Sequence, residues 1–269
     1  MEFLFSSMFL YEYSIDTIID ACEKAGYDGI EFWVETPHFW IKRVSLKHKN
    51  SSLVEMIKDS RIKAIHSPVL DLNPVSVNDG VCDLTLRETL YSINLARKVG
   101  VNIVTVHAGR RSAVREPVWS DYASLNNYLR IASKYSRIKN VKLCLENSEP
   151  RINYLCKSAE EVKEFMEKYE LYFTFDVNHA IKGNYFSRSF LELIDRMENI
   201  HVSGYDAKGR HISAIGFEDI KRVLEELSDM GFNKKITVEL DDLAYGRMDL
   251  KRKIEMLARE LDYLRKIFI

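Results

Sequence analysis

The sequence lacks a net charge of either sign, because its 39 basic residues are nearly balanced by 40 acidic residues. A nucleic acid would have to be bound by a local basic patch, so this balance counts against nucleic-acid binding. The sequence also contains no glutamine, while Lys and Glu are abundant. Scarce thermolabile amides and abundant ion-pairing residues are typical of proteins from thermophiles, which concerns habitat and not chemistry.

Cysteine pairs with metal-binding or redox spacing are absent as well. The four cysteines, Cys22, Cys82, Cys144 and Cys156, are far apart and show no CxxC spacing. We therefore predict a reduced, cytoplasmic protein without a disulfide framework. Residues 1–5 are apolar but include an acid and no basic segment, so we interpret them as a first strand and not as a signal peptide. No apolar run reaches the length of a membrane span, which predicts a protein without a membrane partner.

Short β-branched or aromatic runs alternate with amphipathic stretches along the whole chain. The run Ile103-Val104-Thr105-Val106 is almost wholly apolar, as expected of parallel strands that are buried on both faces. The predicted strands are Glu2–Ser7, Gly29–Trp33, Ile62–His66, Asn102–His107, Lys142–Glu146, Tyr172–Asp176, Asn199–Ser203 and Lys235–Glu239.

The stretches between these runs have helical spacing and recognisable start and stop signals. Ser14–Ala25 places apolar residues on one face and stops at Gly26. Ser158 and Glu161 match a capping box at a helix start. The predicted helices are Ser14–Ala25, Asp83–Val99, Ser158–Tyr169, Phe217–Met230 and Met248–Ile267.

Eight strand–helix units without a Pro/Gly/Ser linker predict one closed (β/α)8 TIM barrel, a single α/β domain over residues 1–269. The main alternative is an open doubly wound sheet, which would bring a Gly-rich phosphate loop after its first strand. Phe5-Ser6-Ser7-Met8 contains no glycine, which favours the barrel. Two long loops, Val34–Ser45 and Pro68–Cys82, follow the second and third strands, and loops of that length often act as lids.

Polar side chains stand at the strand ends from the second strand to the eighth. Taken singly, each has a structural interpretation, since a lone His is usually a hydrogen-bonded structural residue and a lone carboxylate often caps a helix. The carboxyl ends of barrel strands converge on one mouth, however, so we expect these side chains to meet. They are Glu31, His66, His107, Glu146, Asp176, His179, His201, His211 and Glu239.

This convergence predicts a bound divalent metal ion. Mutually close carboxylates repel one another, and removing them from water is costly unless a cation compensates their charge. Mixed oxygen and nitrogen ligation suits Mn²⁺, Zn²⁺ or Co²⁺, whereas the imidazoles argue against Ca²⁺. We predict one such ion and no organic cofactor.

The order and spacing of these residues over nearly the whole chain resemble the xylose isomerase-like TIM barrel superfamily. That superfamily includes endonuclease IV and the ketose 3-epimerases related to D-tagatose 3-epimerase. Its members hold one metal with a strand-end Glu, Asp, His and Glu, and the matching positions here are Glu146, Asp176, His201 and Glu239. The resemblance implies a metal-dependent sugar or sugar-phosphate isomerase or epimerase, working by ketose 3-epimerisation through a metal-stabilised enediolate. Glu146 and Glu239 would each bind the metal through one oxygen and move a proton with the other.

The resemblance also implies an alternative, a zinc-dependent apurinic/apyrimidinic endonuclease of the endonuclease IV type, which uses three zinc ions. Residues of its first site match His66, His107 and Glu146. Its third site takes a His that matches His179, together with an Asp-x-His that here is Gly209-Arg210-His211. The missing acid at Gly209 and the neutral charge balance both favour the isomerase.

Supporting roles are predicted with alternatives. His179, Arg210 and His211 are expected to bind substrate oxygens, or else to be structural. His66 and His107 either line the substrate pocket or hold a second metal with Glu146.

Aromatic and basic residues near the strand ends also have two interpretations each. Trp33 belongs to an aromatic group that would stack on a sugar, or form a lid or a subunit contact. Arg110 and Arg111 would bind a substrate phosphate or remain solvated. The expected partners are a small carbohydrate and, from the aromatics and the superfamily, a second copy in a homodimer.

Overall fold

The structure is a computed structural model that describes residues 1–45, 57, 60–182 and 188–269. Eight of its strands lie in one closed sheet, and two short strands, β8 (Gly204–Tyr205) and β9 (His211–Ile212), form a separate antiparallel hairpin. The strands of the closed sheet are β1 Glu2–Ser6, β2 Gly29–Trp33, β3 Ile62–His66, β4 Ile103–His107, β5 Lys142–Glu146, β6 Tyr172–Asp176, β7 Met197–Val202 and β10 Lys235–Val238.

The closed sheet is a parallel barrel whose neighbours follow the chain order. Around the barrel the strands run β1-β10-β7-β6-β5-β4-β3-β2, and every pair is parallel. The predicted TIM barrel is therefore confirmed. All of the strands' carboxyl ends open on one mouth, which is where this fold places its functional side chains.

Helices surround this barrel in the described parts of the chain. They are α1 Ile15–Ala25, α2 Pro37–Ser45, α3 Asp79–Val99, α4 Trp119–Lys139, α5 Ala159–Tyr169, α6 Val177–Lys182, α7 Arg188–Leu191, α8 Glu218–Asp229 and α9 Leu250–Phe268. Among the described residues, no helix has both the length and the apolar composition needed to cross a membrane.

Strand bounds differ from the sequence prediction by one or two residues. β1 ends at Ser6 and β10 at Val238, one residue earlier than predicted, while β4 begins one residue later at Ile103. β7 runs from Met197 to Val202 and not from Asn199 to Ser203, because its first residue already pairs with Phe173 of β6 ahead of a register shift.

The long-loop predictions were partly wrong. The segment after β2 contains helix α2, which begins at Pro37, a residue whose fixed φ suits the first helical turn. The loop after β3 ends four residues earlier than predicted, since Asn78 accepts the Gly80 N–H as an N-cap and α3 starts at Asp79. Helix α4 was not among the predicted helices.

Helix starts show which capping signals operate. Ser14 accepts the Thr17 N–H at the start of α1, and Gly26 ends that helix at φ +81°. At α5 the Ser158 hydroxyl accepts the Glu161 N–H, but the Glu161 carboxylate accepts the Lys157 N–H at 3.2 Å and not that of Ser158. The predicted capping box is thus only half formed.

The apolar core has two parts. A small cluster of Leu4, Ala64, Ile103 and Cys144 comes from four barrel strands, and a much larger cluster joins the strands to the helices. These buried layers fix the backbone of the strands, so the side chains at the mouth are presented from a rigid support.

Candidate active site and metal centre

Four predicted ligands meet at the mouth of the barrel. Glu146 and Asp176 end β5 and β6, His201 lies near the end of β7, and Glu239 directly follows β10. One ligand atom of each lies within 4.8 Å of the others, and all four residues are buried. This separation lets one ion contact all four side chains after small adjustments, since metal–ligand bonds are about 2 Å long.

The Asn147 side chain fixes the position of the β5 and β6 ends. Its amide donates to the Asp176 carbonyl and accepts the Asp176 N–H, both at 2.8 Å. One carboxylate oxygen of Asp176 then accepts the His179 N–H at 2.7 Å. The other Asp176 oxygen is left facing the centre, so the backbone of these two strands is arranged around this cluster of ligands.

Buried atoms without hydrogen-bond partners concentrate at this centre. Among the described residues they include Glu146 Oε2, Asp176 Oδ2, His201 Nδ1 and Glu239 Oε2, one atom from each of the four residues. Buried polar atoms are seldom left without partners, and a cluster of them calls for an unseen ligand. Three carboxylates and an imidazole nitrogen fit a divalent cation of the Mn²⁺ or Zn²⁺ type.

The electrostatics of the centre also call for a cation. Burial, together with the charges of Glu146 and Glu239, raises the pKa of Asp176 to about 7. Burial opposes the charged form of His201, yet the neighbouring Glu31, Glu239 and Glu146 raise the pKa of its imidazole well above the ordinary value. The protein therefore gathers excess negative charge here, which either protons or a metal ion must balance.

Glu31 orients His201, a role that was not predicted from the sequence. The fully buried Glu31 carboxylate accepts hydrogen bonds from Thr105 Oγ1 at 3.0 Å, Asn199 Nδ2 at 2.9 Å and His201 Nε2 at 2.7 Å. Nε2 therefore carries a proton. Nδ1 lies 2.8 Å from Glu239 Oε2, a contact between two acceptors unless a second proton or a cation lies between them. A carboxylate behind a histidine is the usual way in which proteins fix the tautomer and the direction of a metal ligand.

His66 and His107 form a second cluster with Glu146. His66 Nδ1 lies 2.9 Å from the Ser67 carbonyl, to which it donates, so its Nε2 lone pair faces His107 Nε2 at 3.2 Å. His107 Nε2 is in turn 3.1 Å from Glu146 Oε2. These three residues have ligand atoms within 4.8 Å of one another and could hold a second ion that shares Glu146.

A third cluster contains an acid that sequence reasoning missed. Glu149, on the loop after β5, has a carboxylate within reach of His179 and His211. This cluster therefore contains an acid, although the sequence has a glycine and not an acid at position 209. Arg151 pairs with this carboxylate at 2.6 Å. Burial alone would raise the pKa of Glu149, but the charges of Lys182, His179 and Arg151 outweigh burial and lower it. This cluster has one carboxylate that is already compensated, so its demand for a cation is far weaker than that of the first cluster.

The remaining predicted site residues border one cavity of about 420 Å³ at the mouth. Trp33 stacks on His66 with ring centroids 4.7 Å apart, and its indole N–H is buried without a partner. The Arg210 guanidinium borders the cavity but pairs with Asp206, and it donates to the Leu243 carbonyl at 2.5 Å. His107, His179, His211 and Glu239 also line the cavity.

Comparison with known proteins identifies the family of this barrel. The family model described as xylose isomerase-like TIM barrel matches residues 19–267. The chain is 32% identical to the uncharacterised protein MJ1188 of Methanocaldococcus jannaschii over 97% of both chains. It is 23% identical to a probable endonuclease 4 of Aquifex aeolicus, over 75% of this chain and 79% of that protein.

Solved structures share the fold over nearly the whole chain. A D-tagatose 3-epimerase-like protein superposes with a TM-score of 0.71 at 23% identity and covers 99% of both chains. The IolI protein with a bound zinc atom superposes with a TM-score of 0.74 at 18% identity, over 100% of this chain and 99% of that one. At these identities the superpositions show the fold alone, while the family model matches most of the sequence. The chain therefore belongs to the xylose isomerase-like TIM barrel family.

Proposed function

We propose that this protein is a metal-dependent sugar or sugar-phosphate isomerase or epimerase that inverts a ketose at the carbon beside its carbonyl. One observation carries the proposal, namely that buried ligand atoms of Glu146, Asp176, His201 and Glu239 that lack a hydrogen-bond partner converge next to a cavity that Glu239 lines. A divalent cation held there would polarise the carbonyl and the adjacent hydroxyl of the substrate and stabilise the negative charge that develops on them.

Glu146 and Glu239 are the proposed proton-transfer residues. They follow β5 and β10, which are separated around the barrel by β6 and β7, so the two carboxylates approach the cavity from different sides. Removal of a proton from one face and its return to the other requires two such groups. Asp176 and His201 are proposed to act as ligands alone.

The two carboxylates differ in their access to a substrate. Glu239 borders the cavity. Burial alone would raise the pKa of Glu239, but His201 lowers it to about 2, so Glu239 is present as the carboxylate that a general base requires. Glu146 lies deeper, among His66, His107 and His201. We therefore assign the first proton abstraction to Glu239. Glu146 would enter the step protonated and deliver its own proton to the opposite face of the same carbon, which leaves Glu239 protonated and Glu146 ionised, and exchange with water would then restore the starting state.

Unsatisfied donors and acceptors on the cavity wall suit a polyhydroxylated substrate. The Trp33 indole N–H and His211 Nδ1 are buried and have no hydrogen-bond partner in the described chain. His179 Nδ1 donates to the Asn147 carbonyl at 2.9 Å, which leaves Nε2 as an acceptor for a hydroxyl. These groups are proposed to orient the sugar so that the reacting carbon lies between Glu239 and Glu146.

The names of structurally similar proteins support the same class of reaction. Besides the D-tagatose 3-epimerase-like protein, a D-psicose 3-epimerase from Clostridium cellulolyticum H10 that was solved with D-tagatose superposes with a TM-score of 0.73 at 15% identity. The structurally similar IolI protein was solved with a bound zinc atom, which supports a divalent ion in this protein. Mn²⁺ and Zn²⁺ are the proposed ions, with Co²⁺ as a further choice.

Proton exchange tests the proposal directly. Metal-loaded protein is incubated in D2O with a panel of ketoses and ketose phosphates, and deuterium at the carbon beside the carbonyl is followed by NMR. We expect exchange that falls by more than about a hundredfold in both Glu146→Gln and Glu239→Gln, the usual range for loss of a general acid or base. Glu198→Gln, a buried carboxylate at the other end of the barrel, is the matched control and retains exchange. Exchange that both site variants retain would contradict the proposal.

A second candidate is a zinc-dependent apurinic/apyrimidinic endonuclease, which the cluster of His66, His107 and Glu146 favours. If these residues hold a second ion, Glu146 bridges two metals and is less available for proton transfer. An assay of zinc-loaded protein on a duplex with one abasic site separates the two functions. Nicking at a catalytic rate without deuterium exchange would support the endonuclease and overturn the epimerase.

A further inference from the structure

Four cationic side chains border the cavity above the carboxylate floor. They are Arg110, Arg151, Lys208 and Arg210. Arg151 is neutralised by Glu149 at 2.6 Å, and Arg210 by Asp206. Arg110 and Lys208 have no carboxylate within ion-pair distance in the described parts of the chain. The rim of the cavity therefore carries two positive charges without a direct carboxylate partner, and two further acids, Asp71 and Asp241, also line the cavity.

The backbone of Arg110 is held by buried side chains. Asn73, which is 8% exposed, accepts the Arg110 N–H at 3.0 Å and donates to the Arg110 carbonyl at 2.7 Å. The preceding Gly109 has φ +86°, and a Cβ there would lie 2.6 Å from Asn73 Oδ1, so only glycine allows this clamp to close. Asn73 and Gly109 together thus fix the backbone of Arg110 at the cavity.

Tyr154 supports the guanidinium of Arg110 on the other side. Residues 110 and 154 form an antiparallel bridge, and the Arg110 Cζ lies 5.9 Å from the centre of the Tyr154 ring. The Arg151 Cζ lies at the same distance from this ring. An aromatic face holds a guanidinium without neutralising it, so the N–H groups of Arg110 keep their capacity to bind an anion.

The neighbouring arginine has a different arrangement. Arg111 does not line the cavity; its guanidinium donates to the Glu116 carbonyl at 2.6 Å and lies 3.8 Å from Asp121. The two consecutive arginines, for which the sequence left phosphate binding and solvation open, are therefore not equivalent. Arg111 serves as the matched control for Arg110.

We infer that Arg110, assisted by Lys208, forms an anion subsite, and that the natural substrate is a ketose phosphate whose phosphate lies at this rim. The inference rests on the proposed function, because it is the cation-binding floor that receives the other end of the substrate. A phosphate ester carries up to two negative charges and accepts paired hydrogen bonds from a guanidinium, which a neutral sugar hydroxyl cannot match.

The ratio between the Kd of a ketose and the Kd of its phosphate ester tests the subsite. Calorimetry measures the Kd of the metal-loaded protein for D-fructose and D-fructose 6-phosphate, and for D-ribulose and D-ribulose 5-phosphate. We expect at least one phosphate ester to bind ten times or more tighter than its parent ketose. Arg110→Gln should reduce this ratio to less than threefold, whereas Arg111→Gln should leave it unchanged. A sugar acid of matched length, with a single charge, should bind between the two.

Each other outcome overturns the inference. A ratio near one for every pair, an equal loss in Arg110→Gln and Arg111→Gln, or tighter binding of the sugar acid than of the phosphate ester would each do so. The proposed function fails separately. If phosphate esters bind through Arg110 but no ligand exchanges deuterium, the subsite stands and the epimerase does not. If unphosphorylated ketoses exchange as fast as their phosphates in the wild type and in Arg111→Gln, the epimerase stands and the subsite does not.

Discussion

The two ends of the barrel both carry charged side chains, but they partner them differently. At the amino end, Glu2 pairs with Lys235 at 3.0 Å, and Glu198 pairs with Lys142 at 2.7 Å and with Lys234 at 3.0 Å. Each of these carboxylates has a lysine partner that is itself partly exposed. Charges arranged in this way close the bottom of the barrel and are satisfied within the protein.

At the carboxyl end, acids converge without lysine or arginine. Glu146, Asp176 and Glu239 have only histidines within ion-pair distance in the described chain. The comparison of the two ends shows that burial of a carboxylate does not by itself indicate function. A cluster of carboxylates whose charge is left for histidines, protons or an added cation to balance does, because folding gains nothing from such repulsion.

The largest expected effect on metal affinity and on thermal stability comes from removing one of these mutually repelling carboxylates. Asp176→Asn removes one ligand and one charge, so we expect affinity for Mn²⁺ or Zn²⁺ to fall more than a hundredfold. The same variant without metal should unfold at a higher temperature than the wild type, by about 2–4 °C per kcal/mol for a chain of this size. Metal titration and thermal unfolding of the metal-free proteins check both results. A lower unfolding temperature for metal-free Asp176→Asn would show that its charge is structural.

Glu31 also lies at the carboxyl end, but unlike the three acids of the centre it is fully hydrogen-bonded. Glu31→Gln keeps the shape but removes the charge behind His201, and loss of such a partner typically weakens metal binding tenfold to a hundredfold. Isothermal titration with metal measures this loss directly. Thr105→Val, which deletes another hydrogen bond to Glu31 but leaves its carboxylate beside His201, is the control and should have a much smaller effect. Equal losses in the two variants would argue for general damage to the barrel.

Glu198 offers the opposite test at the amino end. Glu198→Gln leaves Lys142 and Lys234 facing each other without a carboxylate, so we expect the free energy of unfolding to fall by about 1–2 kcal/mol. Because the site is at the other end of the barrel, metal affinity should not change. Urea unfolding and metal titration of the same preparation measure both quantities, and a weakened metal affinity would break the proposed division between the ends.

Glu35 is a structural carboxylate near the mouth with the smallest expected effect. Burial raises its pKa to about 7, although it accepts the N–H groups of Val69 and Leu70. The folded protein therefore holds this proton more tightly than the unfolded chain. Its contribution to stability is greatest below about pH 4.5 and is lost as the pH rises to about 7. For this half-buried side chain we expect a loss on the order of 1 kcal/mol across that window.

The matched variant isolates this contribution from the other titrating groups. Glu35→Gln cannot ionise, so the free energy of unfolding of the wild type should fall relative to that of the variant between pH 5 and pH 7.5. Urea unfolding at several pH values gives the difference. Parallel pH profiles for the two proteins would rule out a titration of Glu35 in this range.

The sequence was sufficient to predict the barrel and the four side chains that converge at its mouth. Alternating strands and helices determine the barrel, and its topology alone brings Glu146, Asp176, His201 and Glu239 together from distant parts of the chain. Residue type and strand position were therefore enough, without any knowledge of side-chain conformation.

Partners that depend on loop paths could not be predicted. Glu31 reaches His201 across 170 residues of sequence, and no spacing indicates that contact. Glu149 approaches His179 and His211 only because the loop after β5 folds back over the mouth, so the missing acid at Gly209 was weaker evidence than it seemed from the sequence. Arg210 illustrates the same limit, since its local pairing with Asp206 restricts the substrate-binding role expected of it.

The central claim is that one divalent ion is bound by Glu146, Asp176, His201 and Glu239. A crystal structure of metal-loaded protein, with anomalous diffraction recorded at the absorption edges of manganese and zinc, tests it most directly. We expect a strong peak about 2.0–2.3 Å from one ligand atom of each of these four residues. A peak confined to the cluster of Glu149, His179 and His211, or no peak at the four-residue centre, would contradict the account.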